Sequence, residues 1–470
     1  MRKASVDFAA QLWPWDGLGI NYVEASQTRN YRADPQDYGG FSLLGERDRQ
    51  SILDMIFGDD GLKPGVAKMF LDPFHQEEPG PGYSTDPNRL DPAAYDHATT
   101  THWMRYFIRE GLSRTRARGN DLRVITTLYG PPAWMTKQRI VRGRDLSPEY
   151  RYELAKYMIA WTKYLRDSEN IPVNYISLHN EGEDWQRWPE DGSTAGDEHH
   201  DYNLYWPPEQ VVDFLRLMPG MLDTHGLQDV GITPGETSNW YRFDHYGYAD
   251  AIARDSVALR HLGLITSHGF YSGRYGRWYG DHRSSGIDLL RAQRPDLHAW
   301  VTSTSWSEMD VMFVNEIRNG IYAAKVNAII PWAAVQTSRW VGGDPNPGTA
   351  FRVQEDGTYS VEPGYYYYKQ VCRAGQPGMA VATVRSNDPE IGLIAFASDE
   401  TAHPDAFVLL NISDEAREVD IEVTGSNAGG YELFRTAPGE NYVSLPHMAA
   451  DGYLRYTAPP KSVTTFYAAR

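Results

Sequence analysis

Asn180 and Glu181 close a short run, residues 174–181, in which Tyr175, Ile176 and Leu178 stand among smaller residues. The spacing predicts a buried strand that stops at an amide and a carboxylate, with Gly182 breaking it where the carboxylate emerges. A glutamate presented from a strand end, beside an amide and followed by Trp185 and Trp188, suits a general acid for cleavage of a glycosidic bond. Taken alone, an Asn-Glu pair is more often a solvated loop, so the rest of the chain has to decide.

The elements that would position such a glutamate recur along the chain. Strands are expected to begin near residues 17, 66, 122, 174, 230, 264, 298 and 327. Between them, helices are expected at 46–57 (ended by a C′ glycine, Gly58), 93–118, 147–166 (capped at Ser147), 207–225, 245–258, 284–293 and 308–325. The strands are short and mostly continuous in apolar character, as strands buried on both faces are. Eight alternating units of this kind predict an α/β fold, a (β/α)8 TIM barrel, and the polar and aromatic clusters all fall just after strand ends, on the face where such barrels carry their chemistry. After about residue 362 the pattern changes to short alternating runs separated by Gly, Asn, Asp and Pro. That predicts a C-terminal antiparallel β-sandwich, completed by an N-terminal strand at residues 4–10. The expected division is 1–14 as the strand joining the sandwich, 15–360 as the barrel and 361–470 as the sandwich.

Composition narrows the function classes. With 470 residues, 41% hydrophobic and 23% charged, the chain reads as an ordinary globular protein of two domains. Its 45 basic against 62 acidic residues give a formal charge of −17, which argues against nucleic acid and anionic membranes as partners. One cysteine, Cys372, excludes an intrachain disulfide and a cysteine-built zinc site. There is no apolar leader at the start and no run of eighteen apolar residues, so the expected location is cytoplasmic, or secreted with the leader removed. The 14 Trp and 31 Tyr supply flat rings of the kind that stack on sugars, though the same rings fill cores.

Four segments in barrel order carry a resemblance. Gly130-Pro131-Pro132-Ala133-Trp134-Met135 after the third strand resembles the Ser-Pro-Pro-Ala-Trp-Met segment of glycoside hydrolase family 30. Asn180-Glu181 after the fourth resembles the Asn-Glu of clan A, and His268-Gly269-Phe270-Tyr271 after the sixth resembles the family's His-x-Tyr region. Trp300-Val301-Thr302-Ser303 on the seventh stands where the family has Trp-x-Thr/Ser-Glu. The resemblance implies a retaining β-glycosidase working by double displacement without a cofactor, on an oligosaccharide or β-glycoside, with Glu181 as acid/base. It implies a nucleophilic glutamate at position 303, and here the residue is Ser303. A serine hydroxyl carries no charge to stabilise an oxocarbenium-like centre and has no evident base.

Three explanations stay open: a Glu-to-Ser change that inactivates the nucleophile position, a different second carboxylate such as Glu236 or Glu308, or a pseudoenzyme that binds glycans without cutting them. For Glu308 a role at a helix N-terminus is the simpler reading. Asn180 is expected to bond the sugar 2-hydroxyl, and His268 to bond Glu181 or the side chain at 303. Trp134, Trp185, Trp240, Tyr271, Trp278, Trp332 and Trp340 follow strand ends as sugar platforms or packing. Lys68 stands near where clan members keep a basic residue, and Glu24 is a further candidate for a substrate hydroxyl. Glu198-His199-His200-Asp201 lies in a polar loop without ligand spacing, so no metal is expected. The insertion from Glu183 to Trp206 hints at an exo-acting pocket.

Overall fold

The computed structural model describes residues 2–25, 37–184, 202–270, 282–341, 348–450 and 452–469. Strand β1 is Arg2–Pro14, and eight parallel strands follow: β2 (Gly17–Asn21), β3 (Val66–Leu71), β4 (Arg123–Leu128), β5 (Val173–Ser177), β6 (Gly231–Thr233), β7 (Ile265–Ser267), β8 (Ala299–Thr304) and β9 (Ala328–Pro331). They form one sheet in the order β6-β5-β4-β3-β2-β9-β8-β7. Parallel bridges Ile232–Leu262 and Thr237–Ser267 join its two ends, so the ring closes as a barrel. All eight strand positions expected from the sequence are present. Every residue of β2, β3 and β8 is buried, which is why those runs read as apolar without alternation.

The helices are α1 (Glu46–Phe57), α2 (His102–Ala117), α3 (Arg151–Asp167), α4 (Pro208–Thr224), α5 (Trp240–His245), α6 (Tyr248–Arg254), α7 (Ser256–His261), α8 (Ser285–Gln293), α9 (Val311–Asn319), α10 (Ser338–Val341) and α11 (Pro363–Ala374). Several differ from expectation for local reasons. The single helix expected at 245–258 is three short ones, broken where Gly247 takes φ 90° and where the Asp255 carboxylate accepts the N–H groups of Val257 and Ala258. The helix expected from 93 begins only at 102, after a 3-10 turn at Pro92–Ala94. Gly58 does not cap α1 in a left-handed conformation; its φ is −71°. Ser147 makes no side-chain cap, and Pro148 opens a 3-10 turn ahead of α3. α9 runs on into a π turn, Gly320–Ala324.

The remaining strands are β10 (Val335–Thr337), β11 (Phe351–Val353), β12 (Tyr359–Val361), β13 (Ala380–Ser386), β14 (Ile391–Ala397), β15 (Ala406–Asn411), β16 (Arg417–Thr424), β17 (Gly430–Ala437), β18 (Glu440–Ala449), β19 (Tyr453–Ala458) and β20 (Ser462–Ala469). Strands β10 to β12 make a small three-stranded sheet. The others form a nine-stranded sheet, β18-β17-β20-β15-β14-β13-β1-β16-β19, with the N-terminal strand inserted between β13 and β16. The sheet is mixed rather than wholly antiparallel, because β1 runs parallel to β16. Ala4, Val6 and Phe8 alternate inward and share one core with Phe407, Leu433, Leu454, Tyr456 and Phe466. Strands far apart in the order therefore bury the same face, as in a sandwich. Tyr456 on β19 lies edge-on to Phe466 on β20, with ring centroids 5.3 Å apart.

Internal contacts divide the chain into two compact units, one of Met1–Ile20, Gly45–Val66 and Ser305–Arg470, the other of Asn21–Leu44 and Ala67–Thr304. The charged cluster described next belongs wholly to the second.

Candidate active site

Beyond β5 the chain continues in bridged form. Asn180 pairs with Glu236, the Glu181 N–H donates to the Glu236 carbonyl at 2.7 Å, and the Glu236 N–H donates to the His179 carbonyl at 2.8 Å. The ends of β5 and β6 thus hold Glu181 and Glu236 side by side. Gly235 has to be glycine: its φ is 92°, and a Cβ there would stand 2.1 Å from the His179 ring. Glu181 itself adopts φ 43°, in the left-handed region. A non-glycine residue there costs about 1–3 kcal/mol, and such strain concentrates at functional sites. The Gly182 N–H donates to His179 Nδ1 at 3.1 Å, fixing the turn that aims Glu181.

The side chains form one continuous chain of charge. His268, just past β7, sits between the two glutamates, with Nδ1 2.9 Å from Glu181 Oε1 and Nε2 3.0 Å from Glu236 Oε2. Lys68 on β3 makes a buried ion pair with Glu236 and donates to the Thr302 carbonyl at 3.2 Å. The Thr127 hydroxyl on β4 donates to Glu236 Oε1 at 2.7 Å. Glu236 and Lys68 have no exposed side-chain surface, whereas Glu181 is 14% exposed. Of the two carboxylates, Glu181 is the one open to a ligand.

Electrostatics follow from this arrangement. Burial alone would raise the Glu236 carboxyl, but the Lys68 charge and the His268 and Lys68 hydrogen bonds outweigh it and bring it down to about 2. Burial opposes charge on His268 as well. Hydrogen bonds to Glu181 and Glu236 overcome that and raise its pKa above the ordinary histidine value. His179 lacks such partners, and burial lowers it to about 3, so it stays neutral.

The other sequence candidates are distributed as follows. Ser303 is buried on β8, one residue after the Thr302 carbonyl that receives Lys68. Asn180 is buried and donates to Asn203 Oδ1 at 2.9 Å. Trp134 is half-buried after β4, its Nε1 donating to the Gln76 carbonyl at 3.0 Å. Trp240 is only 3% exposed and packs edge-on against Phe243 inside α5, so it presents no face for a sugar. Trp332 is buried after β9. Glu24 caps α2, accepting the Trp103 and Met104 N–H groups at 2.7 and 3.0 Å. Glu308 lies in the turn before α9, whose cap is Asp310. Trp185, Trp188, Tyr271, Trp278 and residues 198–201 lie outside the described residues. No group of three or more His, Cys, Asp or Glu with metal-binding geometry occurs among the described residues.

Lys68 and Thr127 are the members that sequence reasoning underweighted. A signal for Lys68 existed: a lysine in the middle of the wholly buried run 66–71 requires a buried anion.

No family model matches the chain, and no curated protein matches it. Solved structures do. A GH30 xylanase C catalytic domain from Talaromyces cellulolyticus aligns over the full length of both chains, with a TM-score of 0.76 and 14% identity. The fold is theirs. A GH30 endoxylanase from Clostridium papyrosolvens (TM-score 0.68, 15% identity) and a GH30 subfamily 8 xylanase from Clostridium acetobutylicum (0.70, 18%) also align over the whole of both chains. The endo-beta1,6-glucanase BT3312 aligns over 100% of this chain and 95% of its own, with a TM-score of 0.68 and 17% identity. At such identities the likeness is one of architecture: an eight-stranded barrel with a C-terminal sandwich. Among the described residues no helix is long and apolar enough to cross a membrane.

Proposed function

We propose that this chain is a glycosidase-type protein acting on β-linked glycosides, with Glu181 as acid/base and position 303 as the nucleophile seat, occupied by serine. We assign the chemistry to the barrel segment, 15–360, and none to 1–14 and 361–470. The observation that carries the reading is the His268 bridge: it ties one partly exposed glutamate at a barrel mouth to a buried anion, as a proton donor needs. The described enzymes of like fold, xylanases and a β-1,6-glucanase, act on carbohydrate and agree with it.

Glu236 is a poor choice as the second catalytic carboxylate. Retaining pairs stand about 5–5.5 Å apart with room for the anomeric carbon between them. Here an imidazole ring and two hydrogen bonds fill that space, and Glu236 is fully enclosed. With serine at 303 the protein binds the glycoside and presents the acid but lacks the group that attacks carbon. The test is Ser303→Glu assayed on a panel of aryl β-glycosides. Hydrolysis should rise by orders of magnitude, and azide or formate should partly restore cleavage in the present protein. A panel on which Ser303→Glu gains nothing, while glycans still bind, would make this a binding protein instead.

A further inference from the structure

Lys68 and Glu236 are joined to the partly exposed Glu181 only through His268, and both are wholly buried ionised groups, an arrangement costly enough to need a reason. We propose that they are positioning residues: they hold His268 with its Nε2 proton directed at Glu236, so that one further proton is shared between His268 Nδ1 and Glu181.

The argument is one of counting protons. Both imidazole nitrogens face carboxylate oxygens, at 2.9 and 3.0 Å. Glu236 Oε2 is ion-paired to Lys68 and Oε1 accepts the Thr127 hydroxyl, so Glu236 is an anion that only accepts. Nε2 is therefore the donor. The Nδ1–Oε1 contact then needs a proton of its own, carried either by Nδ1 against a carboxylate or by Glu181 against an imidazole lone pair. Without it, a lone pair would face a carboxylate oxygen at hydrogen-bond distance. Among the described residues, the charged or titratable groups facing His268 are Glu181, Glu236, Lys68 and the neutral His179.

Building on the glycosidase reading, the pair works as a proton store. In the Ser303→Glu protein the introduced carboxylate bonds to the anomeric carbon in the first step, while the shared proton passes from Glu181 to the glycosidic oxygen, which leaves with the electron pair of the broken C–O bond. His268 Nδ1 and the Glu181 carboxylate are then left in repulsive contact. That raises their joint affinity for a proton, and the attacking water of the second step supplies it. Acid and base roles alternate on one residue because the anchored imidazole penalises the empty state.

The experiment is 15N NMR of histidine-labelled protein, with His268→Asn identifying the signal. In the unaltered protein, Nε2 should carry a proton throughout the neutral range. Glu236→Gln should lower the His268 midpoint by about one pH unit or more, since an adjacent opposite charge is lost, and Lys68→Gln should raise it. Glu236→Asp should largely keep it in place. In the Ser303→Glu background, the alkaline limb of kcat/KM should move in the same two directions. Shifts of the same sign in both variants, no shift, or a His268 protonated on Nδ1 alone would overturn the proposal. If Glu236→Gln does not fold, Lys68→Gln and the tautomer of the unaltered protein decide. Should the NMR shifts appear while Ser303→Glu cleaves nothing, the glycosidase reading fails and the proton relay stands.

Discussion

Glu181 hydrogen-bonds His268 through Oε1 and retains some exposure, so its role is testable apart from its position. In the Ser303→Glu protein, adding Glu181→Gln should slow cleavage of poor leaving groups by roughly 10²–10⁴, the usual worth of general acid catalysis. Dinitrophenyl glycosides, which leave without a proton, should be slowed far less in their first step. Comparing burst rates for the two substrate types checks this, and equal losses on both would assign Glu181 a merely structural part. At this scale the Asn-Glu pair and the His after the sixth strand stood out through the family resemblance, and of the two partners expected for His268 the structure shows Glu181. Lys68 was marked as a basic residue near a strand end, but its partner was not legible, because Glu236 lies 168 positions away. Trp240 misled for the opposite reason: following a strand end says nothing about which way a ring turns.

Helix α2 begins where the Glu24 carboxylate meets the Trp103 and Met104 N–H groups. Such a cap is worth about 0.5–2 kcal/mol, so Glu24→Ala should lower stability by that amount in denaturant melts and leave ligand affinity alone. Just before α2, His97 packs on Trp161 and Tyr164 of α3 and lies 2.9 Å, Nδ1 to Nδ1, from His75. Burial, with the nearby His75 and Arg105, lowers His97 to about 2. Between its ordinary value near 6.5 and about 2, the unfolded chain takes up a proton that the folded one refuses. Stability from this group is therefore present above that window and lost as pH falls through it. His97→Gln should flatten the fall in denaturant midpoint between neutral and mildly acidic pH, whatever it costs at neutrality. An unchanged slope would mean that other groups govern acid sensitivity. Element boundaries were the least legible feature: one expected helix over 245–258 became three because Gly247 and Asp255 supply breaks that periodicity does not register.

At the scale of the whole molecule, the first strand belongs to a sheet otherwise built from residues 380–469. β1 pairs with β13 on one side and β16 on the other, and Phe8 is buried in the core they share. Phe8→Ala should cost about 3–5 kcal/mol, as large-to-small core changes do, read as a lower denaturation midpoint. A loss under about 1 kcal/mol would show that the strand is dispensable to that core.

The sequence by itself determined the count and order of the barrel strands, the run of short strands toward the C-terminus (which begins at Ala380, after the helix Pro363–Ala374 rather than at 362), and which residues stand at strand ends. Each of these is written locally, in runs of apolar residues and the glycines and prolines that interrupt them. Tertiary structure alone decided which strand-end side chains meet. His268 joins Glu181 to Glu236, and Lys68 reaches across to Glu236 and the Thr302 carbonyl, 234 positions away, because closing the ring turns inward the side chains of strands remote in sequence. A period of two residues tells which faces alternate; only closure tells what each face looks at.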